Sequence, residues 1–217
     1  ELGLKQERLY KDFSKMSESE GGREEKIDFV SIVTPNNSHY PAAKAFLEQG
    51  INVLCEKPLT FTLKQAEELA RIAEENDLTI GVNYSYLGFP MVKHARQMVK
   101  HGDIGKIRMV MGEYPQGWLA TPVEKEGQKQ ASWRTNPELA GKSNCLGDIG
   151  SHIENVVSYI TDLEIESLIA KLDKFGEDRE LDTNASLMLK YKNGASGVYW
   201  SSQVAIGHDN GLKVRIY

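Results

Sequence analysis

Between Ile27 and Asn83 the chain alternates strand-like and helix-like runs with almost no sequence to spare between them. Ile27-Asp28-Phe29-Val30-Ser31-Ile32-Val33 is a short β-type run, apolar enough to be expected buried on both faces. It ends in the turn chemistry of Thr34-Pro35-Asn36-Asn37-Ser38. A helix is predicted over about 40–49, stopped by Gly50. Ile51-Asn52-Val53-Leu54-Cys55 forms a second strand, followed at its C-terminal end by Glu56-Lys57-Pro58. Leu63, Ala66, Leu69, Ala70 and Ala73 repeat at helical spacing within about 62–76. Leu78 to Asn83 reads as a third strand. Strand–helix–strand–helix–strand with such short links implies parallel strands joined by right-handed crossovers, half of a doubly wound α/β sheet. Ligands of such sheets bind beyond the C-terminal ends of the strands, which here means the loops Thr34–His39, Glu56–Pro58 and Asn83–Tyr86.

The pattern changes near residue 85, which sets the expected boundary between a domain at 1–84 and a second at 85–217. A helix over about 90–101 ends at Gly102. A strand from Ile107 to Tyr114 precedes a long polar stretch, 115–145, and another helix is expected over about 149–161. Strand-like runs follow at about 165–175, 184–191, 195–205 and 212–217, two of them joined by the hairpin signal Lys192-Asn193-Gly194. A meander of this kind predicts an α+β domain with a mostly antiparallel open sheet and helices on one face. Residues 1–26 read as a surface helix with thinly spaced Leu2, Leu4, Leu9 and Phe13, then a frayed connection broken at Gly21-Gly22.

Composition excludes several classes of function. With 26 basic and 31 acidic residues the net charge is −5, so no general basic field exists to attract nucleic acid or an anionic membrane. No apolar run approaches the ~20 residues that span a bilayer. Cys55 and Cys145 lie far apart and outside any CxxC pair, which speaks against a disulfide framework or zinc site; no metal is expected, and the compartment is expected to be the reducing cytoplasm. The opening is polar and lacks both signal-peptide texture and an initiator Met, so it reads as the middle of a longer chain.

Three constellations can carry chemistry. Lys57, between Glu56 and Pro58 at a strand end, is either a solvated loop cation or an electrostatic and proton-transfer group. In Gly147-Asp148-Ile149-Gly150-Ser151-His152, a helix that includes both residues puts Asp148 and His152 on one face. That arrangement serves acid–base work near neutral pH. The competing reading is helix capping by Asp148 or Ser151, with Ser151 and Glu154 as a capping box. Thr34-Pro35-Asn36-x-x-His39 opens a helix and is either a plain cap or a seat for polar ligand groups. Trp133 and Arg134 are a packing pair or a stack-and-fork for a ligand. Met91, Met98, Met109 and Met111 are expected to fill cores, and His94, His101 and His208 to lie on the surface. No G-x-G-x-x-G and no Walker A loop occurs.

Taken in order, the run Ile27 to His39, then Val53-Leu54-Cys55-Glu56-Lys57-Pro58-Leu59, then Gly81-Val82-Asn83-Tyr84, then Trp133-Arg134-x-x-Pro137, then Gly147 to His152 resembles the Gfo/Idh/MocA family over roughly 27–217. The resemblance implies an NAD(P)-dependent oxidoreductase with an N-terminal Rossmann domain and a C-terminal α/β domain on an open sheet. It implies hydride transfer between the nicotinamide and a secondary alcohol of a sugar, cyclitol or derivative, with NAD or NADP as cofactor. Lys57, Asp148 and His152 match the family's catalytic positions. Thr34, Pro35, Asn36, His39, Glu56, Lys57 and Asn83 match those around the dinucleotide, and Trp133 and Arg134 are candidates for the substrate wall. Ser85 stands where many relatives carry Arg.

The family's first strand, Gly-rich loop and ribose-reading acid have no counterpart in this sequence, and its sheet continues past Tyr217. Residues 1–217 are therefore expected to be an internal fragment, inactive alone and weak in dinucleotide binding. Two rival readings stand beside the dehydrogenase: an NAD-dependent glycoside hydrolase of the same fold, and a non-catalytic ligand-binding relative. An apolar open face on the second sheet, assigned to Leu187, Leu189, Tyr199 and Trp200, predicts a homodimer or homotetramer formed sheet against sheet.

Overall fold

The structure, a computed structural model, describes residue 3 and residues 5–217; Leu2 and Leu4 lie outside the described residues. The chain divides into two compact units, one ending at Asn83 and the other beginning at Tyr84.

In the first unit, strands β1 (Phe29–Ile32), β2 (Asn52–Glu56) and β3 (Ile80–Asn83) form a parallel sheet in that order, as the alternating pattern predicts. Helix α1 (Phe13–Gly21) precedes the sheet, and α2 (His39–Glu48) and α3 (Leu63–Glu75) make the two crossovers. Two crossovers of one hand in one direction fall on the same face of the sheet. Alternate strand residues Val30, Ile32, Val53 and Cys55 accordingly share one core with Phe46 and Leu47 of α2 and Leu69 and Ile72 of α3. The expectation of strands buried on both faces is corrected here: Phe29, Val33 and Leu54 remain exposed because neither helix reaches their side. α3 starts with a true capping box, Thr62 accepting from Gln65 N while the Gln65 side chain reaches back to Thr62 N. Gly50 ends α2 at φ +68°, a backbone conformation that glycine adopts without strain.

Of the apolar residues of the N-terminal segment, Met16 packs against this core, and a polar cluster does the rest. Leu9 and Phe13 stay exposed, while Glu20 of α1 is 1% exposed. Its carboxylate pairs with Arg8 and with Arg23 (3.3 Å), and it accepts the Tyr10 hydroxyl at 2.8 Å. The Arg8 hydrogen bond holds the Glu20 carboxyl below the usual glutamate range. A polar clamp thus replaces the frayed connection expected from sequence.

The second unit is a five-stranded sheet, β5 (Ile165–Asp173), β6 (Asn184–Tyr191), β7 (Ser196–Ser202), β4 (Met109–Pro115) and β8 (Lys213–Ile216) in spatial order. All its pairings are antiparallel except β4 with β7. Helices α4 (Pro90–His101), α5 (Lys129–Arg134), α6 (Pro137–Ala140) and α7 (Ser151–Thr161) complete it. Val110, Ile149, Ile153, Val157, Leu187, Leu189, Tyr191 and Tyr199 form its core. β4 crosses α7 at Gly112, where the helix comes so close that any side chain would collide with Ile153.

The expected composition of the open sheet face needs correction. Leu187, Leu189 and Tyr199 are buried on the helix side, and only Trp200 of the four stands on the other side. Side chains alternate along a strand, so neighbours such as Tyr199 and Trp200 cannot share a face. The outer face instead carries one row across the sheet, in which Ile169 pairs with Met188, Met188 with Val198, Val198 with Met111 and Met111 with Arg215. The methionines read as core fillers are displaced as well: Met91 is 71% exposed, and Met109 and Met111 face outward from β4.

Candidate active site

The three parallel strands end together, and their loops carry the sequence-predicted residues. Thr34, Pro35 and Asn36 follow β1, Glu56 closes β2 with Lys57 and Pro58 after it, and Asn83 closes β3. Glu56 and Asn83 are register partners, and Asn83 Nδ2 donates to Glu56 Oε1 at 2.6 Å. His39 opens α2 and is fully buried. Its Nδ1 lies 2.7 Å from the Pro58 carbonyl oxygen and its Nε2 2.9 Å from that of Thr34. The ring therefore ties the Thr34 turn to the Glu56–Pro58 turn and spends both nitrogens in doing so. Lys57 is half-buried on the turn so fixed, and Thr34 and Asn83 are exposed at the strand ends.

The second unit brings Arg134 onto Asp148 and places His152 four residues on, at the start of the next helix. Residues 146–150 form a single π-helical turn that runs directly into α7. Such turns cluster at functional sites because they displace one side chain from the helical repeat. Asp148 lies in the turn and His152 is the second residue of α7. Asp148 Oδ2 accepts from Arg134 Nε at 3.2 Å and from Gln203 Nε2 at 2.9 Å. Arg134 also lies over the Trp133 ring, 4.2 Å from its centroid, so the pair expected to face substrate is one stacked unit anchored on Asp148.

The capping reading of this segment fails. Ser151 Oγ donates back to the Gly147 carbonyl at 2.9 Å, and Glu154 accepts from the Tyr199 hydroxyl at 2.8 Å beneath the sheet. Helical conformation already begins upstream at Cys145, so Ser151 is not at a helix start. Burial raises the Glu154 carboxyl above its usual range, against the lowering effect of the Tyr199 hydrogen bond.

His152 is 8% exposed and lies against three tyrosine rings. Tyr86 meets it edge-on at 4.9 Å and Tyr84 at 5.6 Å, while Tyr114 is tilted at 6.2 Å. Asn210 Nδ2 donates to the Tyr86 hydroxyl at 3.2 Å, the Tyr114 hydroxyl donates to Asn210 Oδ1, and the two tyrosine hydroxyls bond each other. Burial, and then the Tyr86 hydrogen bond, push the Tyr114 hydroxyl pKa up, so it stays protonated. Tyr86 also lines an apolar pocket of about 460 Å³ between α4, α7 and β8. Sequence reasoning missed these tyrosines as site residues, although the Tyr84-x-Tyr86 spacing directly after a strand-end loop was a usable signal. Gln203, Asn210 and Tyr114 carried none, being single polar residues in strand-like or loop sequence.

Comparison with known proteins agrees with this architecture. Residues 3–84 match the oxidoreductase family with an NAD-binding Rossmann fold, and residues 92–217 match the GFO/IDH/MocA C-terminal domain. The chain belongs to the Gfo/Idh/MocA oxidoreductase family. It is 36% identical to an uncharacterized oxidoreductase of Bacillus subtilis, over 99% of this chain and 55% of that protein. It is 28% identical to levoglucosan dehydrogenase of Pseudarthrobacter phenanthrenivorans, over 88% of this chain and 53% of that enzyme. Among solved structures, an inositol dehydrogenase homologue from Azotobacter vinelandii, complexed with NAD+, superposes with a TM-score of 0.95. That match has 39% identity and covers 99% of this chain and 56% of the other. The chain thus spans about half the length of the relatives it matches. Among the described residues no helix is long and apolar enough to cross a membrane.

Proposed function

We propose that the whole protein is an NAD(P)-dependent dehydrogenase that oxidises a secondary alcohol of a sugar, cyclitol or derivative. The observation that carries this reading is the buried His152, four residues after an Asp148 that accepts from Arg134 and Gln203, in a chain of this family. The strand ends fit a dinucleotide: they present Thr34, Asn36 and Glu56 at turns that His39 ties together, and Asn83 bonded to Glu56. The nicotinamide, when bound, takes the hydride; the protein must manage the proton and the charge on oxygen. His152, in its tyrosine-lined site, accepts the hydroxyl proton. Lys57 stabilises the negative charge that develops on that oxygen. Asp148 orients the polar partners of the reacting alcohol, and Trp133 and Arg134 form part of the substrate wall. His39, with both nitrogens engaged, acts on the cofactor loops rather than on the cofactor.

Steady NADH or NADPH production by the full-length protein from a panel of free sugars and inositols tests the reaction. Transient oxidation without net cofactor reduction would instead indicate glycoside cleavage. Lys57→Ala is expected to lower kcat by ~10²–10⁴, the contribution of a positioned proton-transfer or charge-stabilising group. A variant within threefold of wild type removes Lys57 from the chemistry.

The same reading includes association and compartment. The row Ile169, Met188, Val198 and Met111 on the outer sheet face, with Trp200 beside it, suits a two-fold homodimer contact, sheet against sheet. Met188→Glu is expected to shift the mass in light scattering to that of a monomer, and an unchanged oligomer would place the contact elsewhere. Cys55 and Cys145 are free and buried, as suits the cytoplasm.

A further inference from the structure

We infer that Asp182 is a positioning residue for Asp148, acting through the two-residue strap Asp182-Thr183 that leads into β6; the inference rests on the functional reading above. Asp182 lies 36 or more residues along the chain from the turn it holds, and it is 4% exposed. Its Oδ1 accepts Asn144 N at 2.9 Å, its Oδ2 accepts Leu146 N at 2.7 Å, and its backbone carbonyl accepts Cys145 N at 3.0 Å. Three successive backbone N–H groups at the start of the π turn and α7 are therefore taken by one residue. These are the donors that a helix start leaves without internal partners. A carboxylate there also complements the positive end of the helix dipole. The next donor, Gly147 N, is taken by Ser143 Oγ at 2.9 Å, so Asp182 takes the first three and Ser143 the fourth.

The strap also controls the other end of the Asp148 frame. Thr183 O accepts Gln203 N at 2.9 Å, and the Gln203 side chain donates to Asp148 Oδ2 at 2.9 Å. Thr183 and Gln203 are both fully buried. One short segment thus sets the backbone from which Asp148 projects and the amide that holds its carboxylate. Thr183 is itself pinned by two hydrogen bonds with the backbone of Phe175, so the strap does not drift. Asp182→Asn keeps the shape but turns one acceptor oxygen into a donor facing an N–H. One of the two turn contacts must open and the π turn must shift.

The test is a double-mutant cycle on the full-length enzyme with a sugar or inositol substrate, reading kcat, KM and NAD+ affinity per folded molecule. Asp182→Asn is expected to lower kcat about ten- to a hundredfold, the cost of a displacement near 1 Å at a reacting group, with NAD+ affinity within twofold of wild type. Added to Asp148→Asn, it is expected to cost less than a further twofold, because the group it positions has already been lost. A merely structural Asp182 would lower the melting temperature and leave kcat of the folded fraction unchanged; that result overturns the inference. So does a full additional loss in the Asp148→Asn background. If Asp182→Asn does not fold, Asp182→Glu, which keeps the charge but displaces it by one methylene, takes its place in the same cycle. An Asp148→Asn enzyme with wild-type kcat overturns the functional reading and this inference with it. A crippled Asp148→Asn beside a fully active Asp182→Asn overturns this inference alone.

Discussion

Gly112→Ala tests the packing that supports His152. Gly112 lies in the middle of β4, and a Cβ built there falls 2.2 Å from Ile153 Cγ2 and 3.1 Å from Tyr199 Cδ1. Ordinary carbon–carbon contact is about 3.5–4.0 Å, so one methyl must displace its neighbour by about 1.5 Å. Ile153 is fully buried in α7, and its β-branched χ1 is nearly fixed in a helix. The helix must therefore move, and His152 is the adjacent residue. Overpacking of this kind costs about 1–3 kcal/mol, and this collision belongs at the upper end. Replacing Gly stiffens the unfolded chain and returns about 0.4–1 kcal/mol. The net expectation is about 2–3 kcal/mol, or a melting temperature lower by about 5–10 °C. Urea denaturation followed by tryptophan fluorescence measures it cleanly, since Trp118, Trp133 and Trp200, the three tryptophans of the chain, all belong to the second unit. Ile153→Leu moves the branch from Cβ to Cγ and deletes the colliding methyl, at a cost below about 1.5 kcal/mol alone. The double variant should therefore recover at least about 1 kcal/mol relative to the sum of the single changes. A Gly112→Ala protein within about 0.5 kcal/mol of wild type, or strict additivity with Ile153→Leu, would refute the reasoning.

Two further outcomes follow from buried charge. Because the Glu20 carboxyl is lowered in the folded state, its contribution is present above the ordinary glutamate value and is lost as pH falls through the folded one. The wild type should therefore lose stability as pH falls below the ordinary glutamate value of about 4.3. Glu20→Gln should flatten that slope in urea midpoints read by far-UV circular dichroism, and equal slopes would exclude the clamp. Arg179 is 4% exposed, pairs with Glu124 at 2.8 Å and also donates to the carbonyl oxygens of Leu119, Thr121 and Phe175. Arg179→Met leaves the half-buried Glu124 carboxylate without its guanidinium and three carbonyl oxygens without their donor, and should cost about 1–3 kcal/mol. Faster hydrogen exchange across 119–124 should accompany the loss, and exchange unchanged there would show that the pair does not pin the loop.

Local patterning by itself determined the Rossmann half. The runs at Ile27–Val33, Ile51–Cys55 and Leu78–Asn83 are separated by segments just long enough for one helix each, so the strand order and the parallel direction had few alternatives. The Glu56-Lys57-Pro58 and Asp148-x-x-x-His152 motifs were likewise visible, because their spacing within the chain is what they consist of. The tertiary structure decided what spacing cannot encode. Which strand residues face out depends on which face of each sheet its helices cover, so Phe29 and Leu54 are exposed and Leu187 and Tyr199 are not. The capping signature at Ser151 was misleading because the helix begins upstream, where a carboxylate from Asp182 satisfies the backbone donors. The partners of Asp148 and the tyrosines around His152 come from segments 14 to 68 residues away, as do Arg134 (14 residues), Gln203 (55 residues) and Tyr84. Those contacts are made by folding over long separations, and apart from the Tyr84-x-Tyr86 spacing the local sequence carries no trace of them.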